Sequence, residues 1–165
     1  GDIQPHDGAK ADRYLRATEA AKNGDLEDLQ LHVDAGVGFM DLPGPLLHFA
    51  AKMGHAACVA FLLSSRADTE ECGLGIGGSL YGVRALGAAA FSGRVECVKL
   101  LLSARASINA MDPRGRTALW YCAFNCEHEG SFKGRCCYAD TAASLVEAKA
   151  DVNVASASGD WAGWM

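Results

Sequence analysis

PLLHFAAKMGHAACVAFLLSSRAD, residues 45–68, is written a second time with substitutions as GVRALGAAAFSGRVECVKLLLSARAS, residues 82–107. Leu47 pairs with Leu86, Ala50 with Ala89, Gly54 with Gly93, Cys58 with Cys97, Leu62-Leu63 with Leu101-Leu102 and Ala67 with Ala106. Every pair stands 39 residues apart, and a constant spacing over that many positions marks a repeated structural unit. A third copy opens as RTALWYCAFN from Arg116 and is completed by AASLVEAKADVN, residues 142–153; a fainter one, ATEAAKNGDLEDLQLHVDAG, fills residues 17–36.

Within each copy, Leu47, Ala50, Ala51 and Gly54 recur at steps of three and four, which puts them on one stripe of a helix. Alanine on that stripe lets backbones approach closely. Gly24, Gly54 and Gly93 fall where a first helix must end and the chain turn back, a place that favours left-handed backbone. A second helix then buries Val59, Leu62 and Leu63, or Val98, Leu101 and Leu102. One such pair cannot cover its own apolar side, so the pairs must stack into a continuous core. Glu27, Asp28 and Gln30 give the first copy a polar outer face suited to a cap, with Asp28 in the slot of Cys58 and Cys97.

These residues resemble ankyrin repeats, whose pattern is G-x-T-P-L-H-x-A-A-x-x-G-H followed by L-L-x-x-G-A-D-V-N, about 33 residues per unit. Leu47-His48-x-Ala50-Ala51-x-x-Gly54-His55 carries the first part, and Asp112-Pro-Arg-Gly115-Arg-Thr117-Ala-Leu119 with Ala150-Asp151-Val-Asn153 carries the flanks. The resemblance implies an all-α fold: an ankyrin-repeat α-solenoid of stacked helix-turn-helix units with β-hairpin-type loops. It divides the chain into an N-terminal extension at 1–11 and a repeat domain at 12–165, with units near 12–40, 41–71, 82–111 and 112–154 and a partial unit at 155–165. Two departures from the period predict inserts. One is ECGLGIGGSLYG in the third hairpin; the other, roughly Glu127 to Cys137, splits the fourth helix pair and reads as a loop. Gly159–Trp164 repeats the start of a further first helix, so the array is expected to be cut there or to have that end covered, with Trp161 and Trp164 marking contact.

The composition narrows the function. A formal net charge of −5 offers no global basic field for phosphate backbones or anionic lipid, so neither nucleic acid nor direct membrane insertion is expected. No apolar run approaches the roughly 20 residues that cross a bilayer. Seven cysteines make an odd count, which argues against a fully paired disulfide framework. Compartment is not readable from the sequence; cytoplasm or an organelle interior, the plastid included, would suit it.

Three groups of residues invite a functional reading. His48, in the T-P-L-H slot, is expected to brace the hairpin through a backbone hydrogen bond, and Cys58 and Cys97 to pack as small hydrophobes. The insert CEHEGSFKGRCC gathers Cys126, His128, Cys136 and Cys137, candidates for a metal site or a disulfide, although their spacing lacks the usual paired knuckles. Gly73–Gly78 lacks the preceding strand and terminal lysine of a phosphate-binding loop, and no nucleophile–base arrangement is identifiable. No catalysis and no cofactor are expected. The resemblance implies recognition of a protein partner instead. Positions flanking the alanines are the expected contacts: Phe49, Lys52 and Met53, then Phe91 and Ser92, then Tyr121, Phe124 and Asn125, with inter-repeat packing as the alternative for each aromatic. Hairpin residues Phe39, Met40 and Leu42, with Leu80, Tyr81 and Arg84, form a second group. Two other readings stay open. One is a permanent subunit of a large complex, suggested by A-R-A-D and A-R-A-S turns similar to those of arrays in some single-celled algae, where a plastid membrane complex is one setting. The other is a thiol- or metal-dependent regulator.

Overall fold

Gly24, Gly54 and Gly93 adopt φ of 79°, 89° and 62°, and each turns one helix back on the next. The architecture comes from a computed structural model that describes residues 6–34, 46–73, 82–128 and 132–153, with side chains at 12–33, 46–73, 82–125 and 137–153. Among the described residues there are eight helices: α1 (His6–Asn23), α2 (Leu26–Asp34), α3 (Leu46–Met53), α4 (Ala56–Ser64), α5 (Ala85–Phe91), α6 (Val95–Ser103), α7 (Ala118–His128) and α8 (Phe132–Glu147). They pair as α1/α2, α3/α4, α5/α6 and α7/α8. The first helices α1, α3, α5 and α7 pack in series as an inner layer, and α2, α4, α6 and α8 pack in series outside them.

The core lies between the layers. Ala17, Ala20, Ala21, Ala50, Ala51, Ala88 and Ala89 are buried along the inner helices, where small side chains allow close contact. Leu29, Val59, Leu62, Val98, Leu101 and Leu145 fill the space from the outer helices. Cys58 and Cys97 are buried among them as expected, and burial pushes the Cys97 thiol up to about 11. Truncating one such leucine to alanine removes about 2–5 kcal/mol, a large share of a domain's stability.

The outer helices α4, α6 and α8 close in the same way. Ala67 N–H donates to Leu62 O and Arg66 N–H to Leu63 O; the pairs Ala106/Leu101 with Arg105/Leu102, and Ala150/Leu145 with Lys149/Val146, repeat it. This double bond pattern needs a left-handed residue. Here Arg66, Arg105 and Lys149 supply it at φ of 64°, 62° and 68°, in the slot where the family pattern has glycine.

α1 starts at His6, inside the stretch read as an N-terminal extension at 1–11, and one sequence expectation changes. The Glu127–Cys137 insert, read as a loop, mostly lengthens helices: α7 runs to His128 and α8 starts at Phe132. The reason lies at Cys126. It occupies the register of Gly24, Gly54 and Gly93, and without a glycine to turn on, the helix continues through it.

Candidate functional site: the inner helix face

Polar ties at the helix ends fix the inner layer. His48 is buried, and its Nδ1–H donates to Val83 O at 3.0 Å. Gly73 N–H donates to the same carbonyl at 2.9 Å, and Cys72 and Arg84 form an antiparallel bridge, so His48 clamps the base of the hairpin that carries the first insert. A Cβ on Gly73 would come within 2.5 Å of the imidazole, which explains a glycine there. Burial, aided by Lys52, holds the His48 pKa down to about 4 despite the bond to Val83, so the ring is neutral at pH 7. The expectation for His48 is met.

A second tie joins neighbouring hairpins. The Glu70 carboxylate accepts Ser107 N–H at 2.8 Å and lies 3.0 Å from Arg84 Nε, while Arg84 Nη1 donates to Met111 O. Arg84, expected as a contact residue, is thus engaged within the chain.

The third is the hairpin before α7. Asp112 accepts the N–H groups of Arg114 and Arg116, Arg116 Nε and Nη2, and the hydroxyl of Tyr121 at 2.6 Å. Burial opposes its charge, but the Tyr121 hydroxyl and the Arg116 and Arg114 donors prevail and hold the carboxyl below the usual range. Tyr121 is only 1% exposed, and burial and Asp112 push its pKa up. This corrects the expectation that Tyr121 faces a partner: its ring packs edge-on to Phe91 and Trp120 and its hydroxyl closes the hairpin.

A fourth tie bridges successive repeats at the turn. His55 Nε2–H donates to Lys22 O at 2.9 Å, two residues before Gly24. In the last repeat Tyr138 takes the equivalent place, its hydroxyl donating to Phe91 O, two residues before Gly93. The 44-residue spacing from Ala106 to Ala150 also links Arg94 to Tyr138, so the signal was in the sequence although Tyr138 was not singled out. Asn125 Nδ2 donates to that same Phe91 carbonyl at 2.8 Å, which makes Asn125 half-buried and structural in part.

The remaining side chains form a row. Met53 is 46% and Phe124 42% exposed; Phe49, Lys52, Phe91 and Ser92 are half-buried. Lys22 Nζ sits 4.6 Å above the Phe49 ring. Trp120, not singled out from sequence, stacks on Phe124 with centroids 4.9 Å apart, and the Arg116 guanidinium lies over its ring. Their spacing of four residues on one helix face was the available signal. Phe39, Met40, Leu42, Leu80, Tyr81, Trp161 and Trp164 lie outside the described residues.

A cleft bordered by Glu70, Arg84, Ser107 and Tyr121 leaves only about 10 Å³ to a water-sized occupant, far below a substrate pocket of roughly 300 Å³ or more. Among the described residues no three His, Cys, Asp or Glu side chains gather as metal ligands. Of Cys126, His128 and Cys136 only the helical backbone is described; Cys137 is exposed on α8, and Cys122 points inward with Sγ 3.8 Å from Ala90 O. No described helix is long and apolar enough to cross a membrane.

Stacked helix pairs, tight glycine turns and a hairpin braced from beneath by a histidine define a repeat solenoid. The family model described as ankyrin repeats (3 copies) matches residues 18–112 and 72–156. The chain belongs to the ankyrin-repeat family, whose members generally serve as protein–protein interaction modules and are typically not enzymes. No curated protein matches the chain.

Proposed function

We propose that this chain is a non-catalytic module that binds a protein partner along the inner helix face, with Met53, Phe91, Trp120 and Phe124 as its apolar contacts. The observation that supports this most is the stacked Trp120–Phe124 pair, left partly open to solvent on α7, which Asn125 fastens to the end of α5. Rigid aromatic side chains on a preordered surface lose little entropy on docking, and such residues dominate binding energy at interfaces.

Photo-crosslinkers placed singly at Met53, at Phe124 and at Lys99 on outer helix α6 test the reading in cells that express the chain. Discrete protein adducts from the two inner positions and none from Lys99 are expected. Adducts only from Lys99 would reject it.

A further inference from the structure

The inner row changes chemistry along its length. Lys22, Lys52, Phe91 and Phe124 occupy one register, two residues before the turn position, on α1, α3, α5 and α7. The chain holds 20 acidic and 15 basic residues, yet α3, α5 and α7 as far as Asn125 carry a single charge, that of Lys52, and no carboxylate. Lys22 is exposed and reaches across to the Phe49 ring of α3, which places a second ammonium at this end; Glu19, one turn earlier on α1, is also exposed. At the other end stand Phe91, Trp120 and Phe124, and the Arg116 guanidinium over the Trp120 ring is already neutralised by Asp112. One end therefore has positive charge to offer and the other has apolar area.

We infer that the inner face takes an extended segment of a partner protein that sets a carboxylate side chain against Lys52 and Lys22 and an aromatic or large aliphatic side chain on the Trp120–Phe124 stack. This rests on the inner-face reading above and adds the order of the partner's chemistry. Packed helices lie about 8–10 Å apart, so α3 to α7 spans roughly 16–20 Å. An extended chain rising about 3.3 Å per residue covers that in about five or six residues. A nucleic acid strand would bring a charge at every nucleotide to a face with two ammonium groups on a chain of net charge −5, a poor electrostatic match.

The probe is a displayed library of random 12-residue peptides, selected against the chain; the strongest sequence is then synthesised and titrated against the wild type, Lys52→Glu, Phe124→Ala and the outer-face control Lys99→Glu. Selected peptides are expected to share an Asp or Glu separated by about four to seven residues from a Phe, Trp, Leu or Ile. Kd is expected to rise about 10-fold or more in each inner variant and to stay within about 2-fold in the control. A peptide with lysine in place of its acid should bind Lys52→Glu better than wild type, which a merely misfolded variant could not do. Peptides that need Phe124 but carry no acid, or that ignore Lys52→Glu, would overturn the charge order and leave the inner-face reading standing. Binding indifferent to both inner variants would overturn both. No selected peptide, or equal binding of a single-stranded 12-nucleotide DNA, would overturn the present inference.

Discussion

Lowering the pH from 8 to 5 is expected to remove about 2 kcal/mol of folding free energy through His48 alone. The imidazole is 3% exposed, donates from Nδ1 to Val83 O and is held at a pKa of about 4, against an ordinary 6.5. Burial is the main cause, with Lys52 adding to it and the bond to Val83 opposing. Because the folded pKa is the lower one, the unfolded chain takes up the proton first. The contribution is complete above about pH 6.5, declines as the pH falls from there, and is gone below about 4. At about 1.4 kcal/mol per pKa unit the full span is worth roughly 3 kcal/mol, of which about 2 is lost by pH 5.

The assay is urea unfolding followed by circular dichroism at pH 8, 6, 5 and 4.5, on the wild type and on His48→Asn. Asparagine can place an amide donor near the Nδ1 position, so the bond to Val83 is approximated while the titration is deleted. Other acid-sensitive groups are common to both proteins and cancel in the difference. The gap between them should close by about 2 kcal/mol from pH 8 to pH 5. Protection of the Gly73 amide, which shares the Val83 carbonyl, should fall over the same range, because that hairpin is what the ring clamps. Parallel curves, within about 0.5 kcal/mol at every pH, would refute the claim that burial of neutral His48 is what acid reverses.

Asp112→Ala leaves the Arg116 charge buried without its partner and should cost about 3–5 kcal/mol in urea unfolding at pH 7. Since the Asp112 carboxyl lies below the usual aspartate value of 3.8, that deficit should hold above it and shrink as the pH falls further, read as the wild type approaching the variant. Gly24→Ala puts a Cβ 2.4 Å from the His55 ring at a φ of 79° and should lower stability by roughly 1–3 kcal/mol, seen as a lower thermal midpoint. Arg105→Gly relieves a left-handed residue at the end of α6 and should raise stability by up to about 1 kcal/mol in the same measurement. Alkylation of the native protein at pH 8, mapped by mass spectrometry, should modify exposed Cys72 and spare Cys58 and Cys97 until the chain is unfolded.

What could be read from the residues depended on how local the cause was. A left-handed turn is a requirement on one residue, so Gly24, Gly54 and Gly93 announced the helix pairs. His48 was legible because its role travels with its register. Tyr121 was not, since the same register holds a half-buried Phe49 in α3 and an alanine in α5. What draws Tyr121 inward is the Asp112 carboxylate, nine residues earlier in a hairpin, and only the folded turn brings the two together. The fourth repeat misled for a related reason. Surplus residues were assigned to a loop because loops absorb insertions, whereas the missing glycine at Cys126 lets the first helix run on and Phe132–Tyr138 prolong the second.

The ties and the row of exposed side chains use different atoms of the same residues, and this separation suits the fold to recognition. Lys22 and Phe91 are gripped through their carbonyls by His55, Asn125 and Tyr138, so their backbone positions are set by the neighbouring repeat whatever side chains they bear. The side chains at those two positions, with Lys52 and Phe124 in the same register, carry none of the hairpin hydrogen bonds. Substitution there changes what the inner face offers to a partner at small cost to the stack, whereas substitution at His48, Asp112 or Gly24 spoils the stack itself. Variants of the two kinds should therefore separate, with partner binding lost at unchanged stability for Lys52 and at a small loss for Phe124, whose ring stacks on Trp120, and stability lost first for the others.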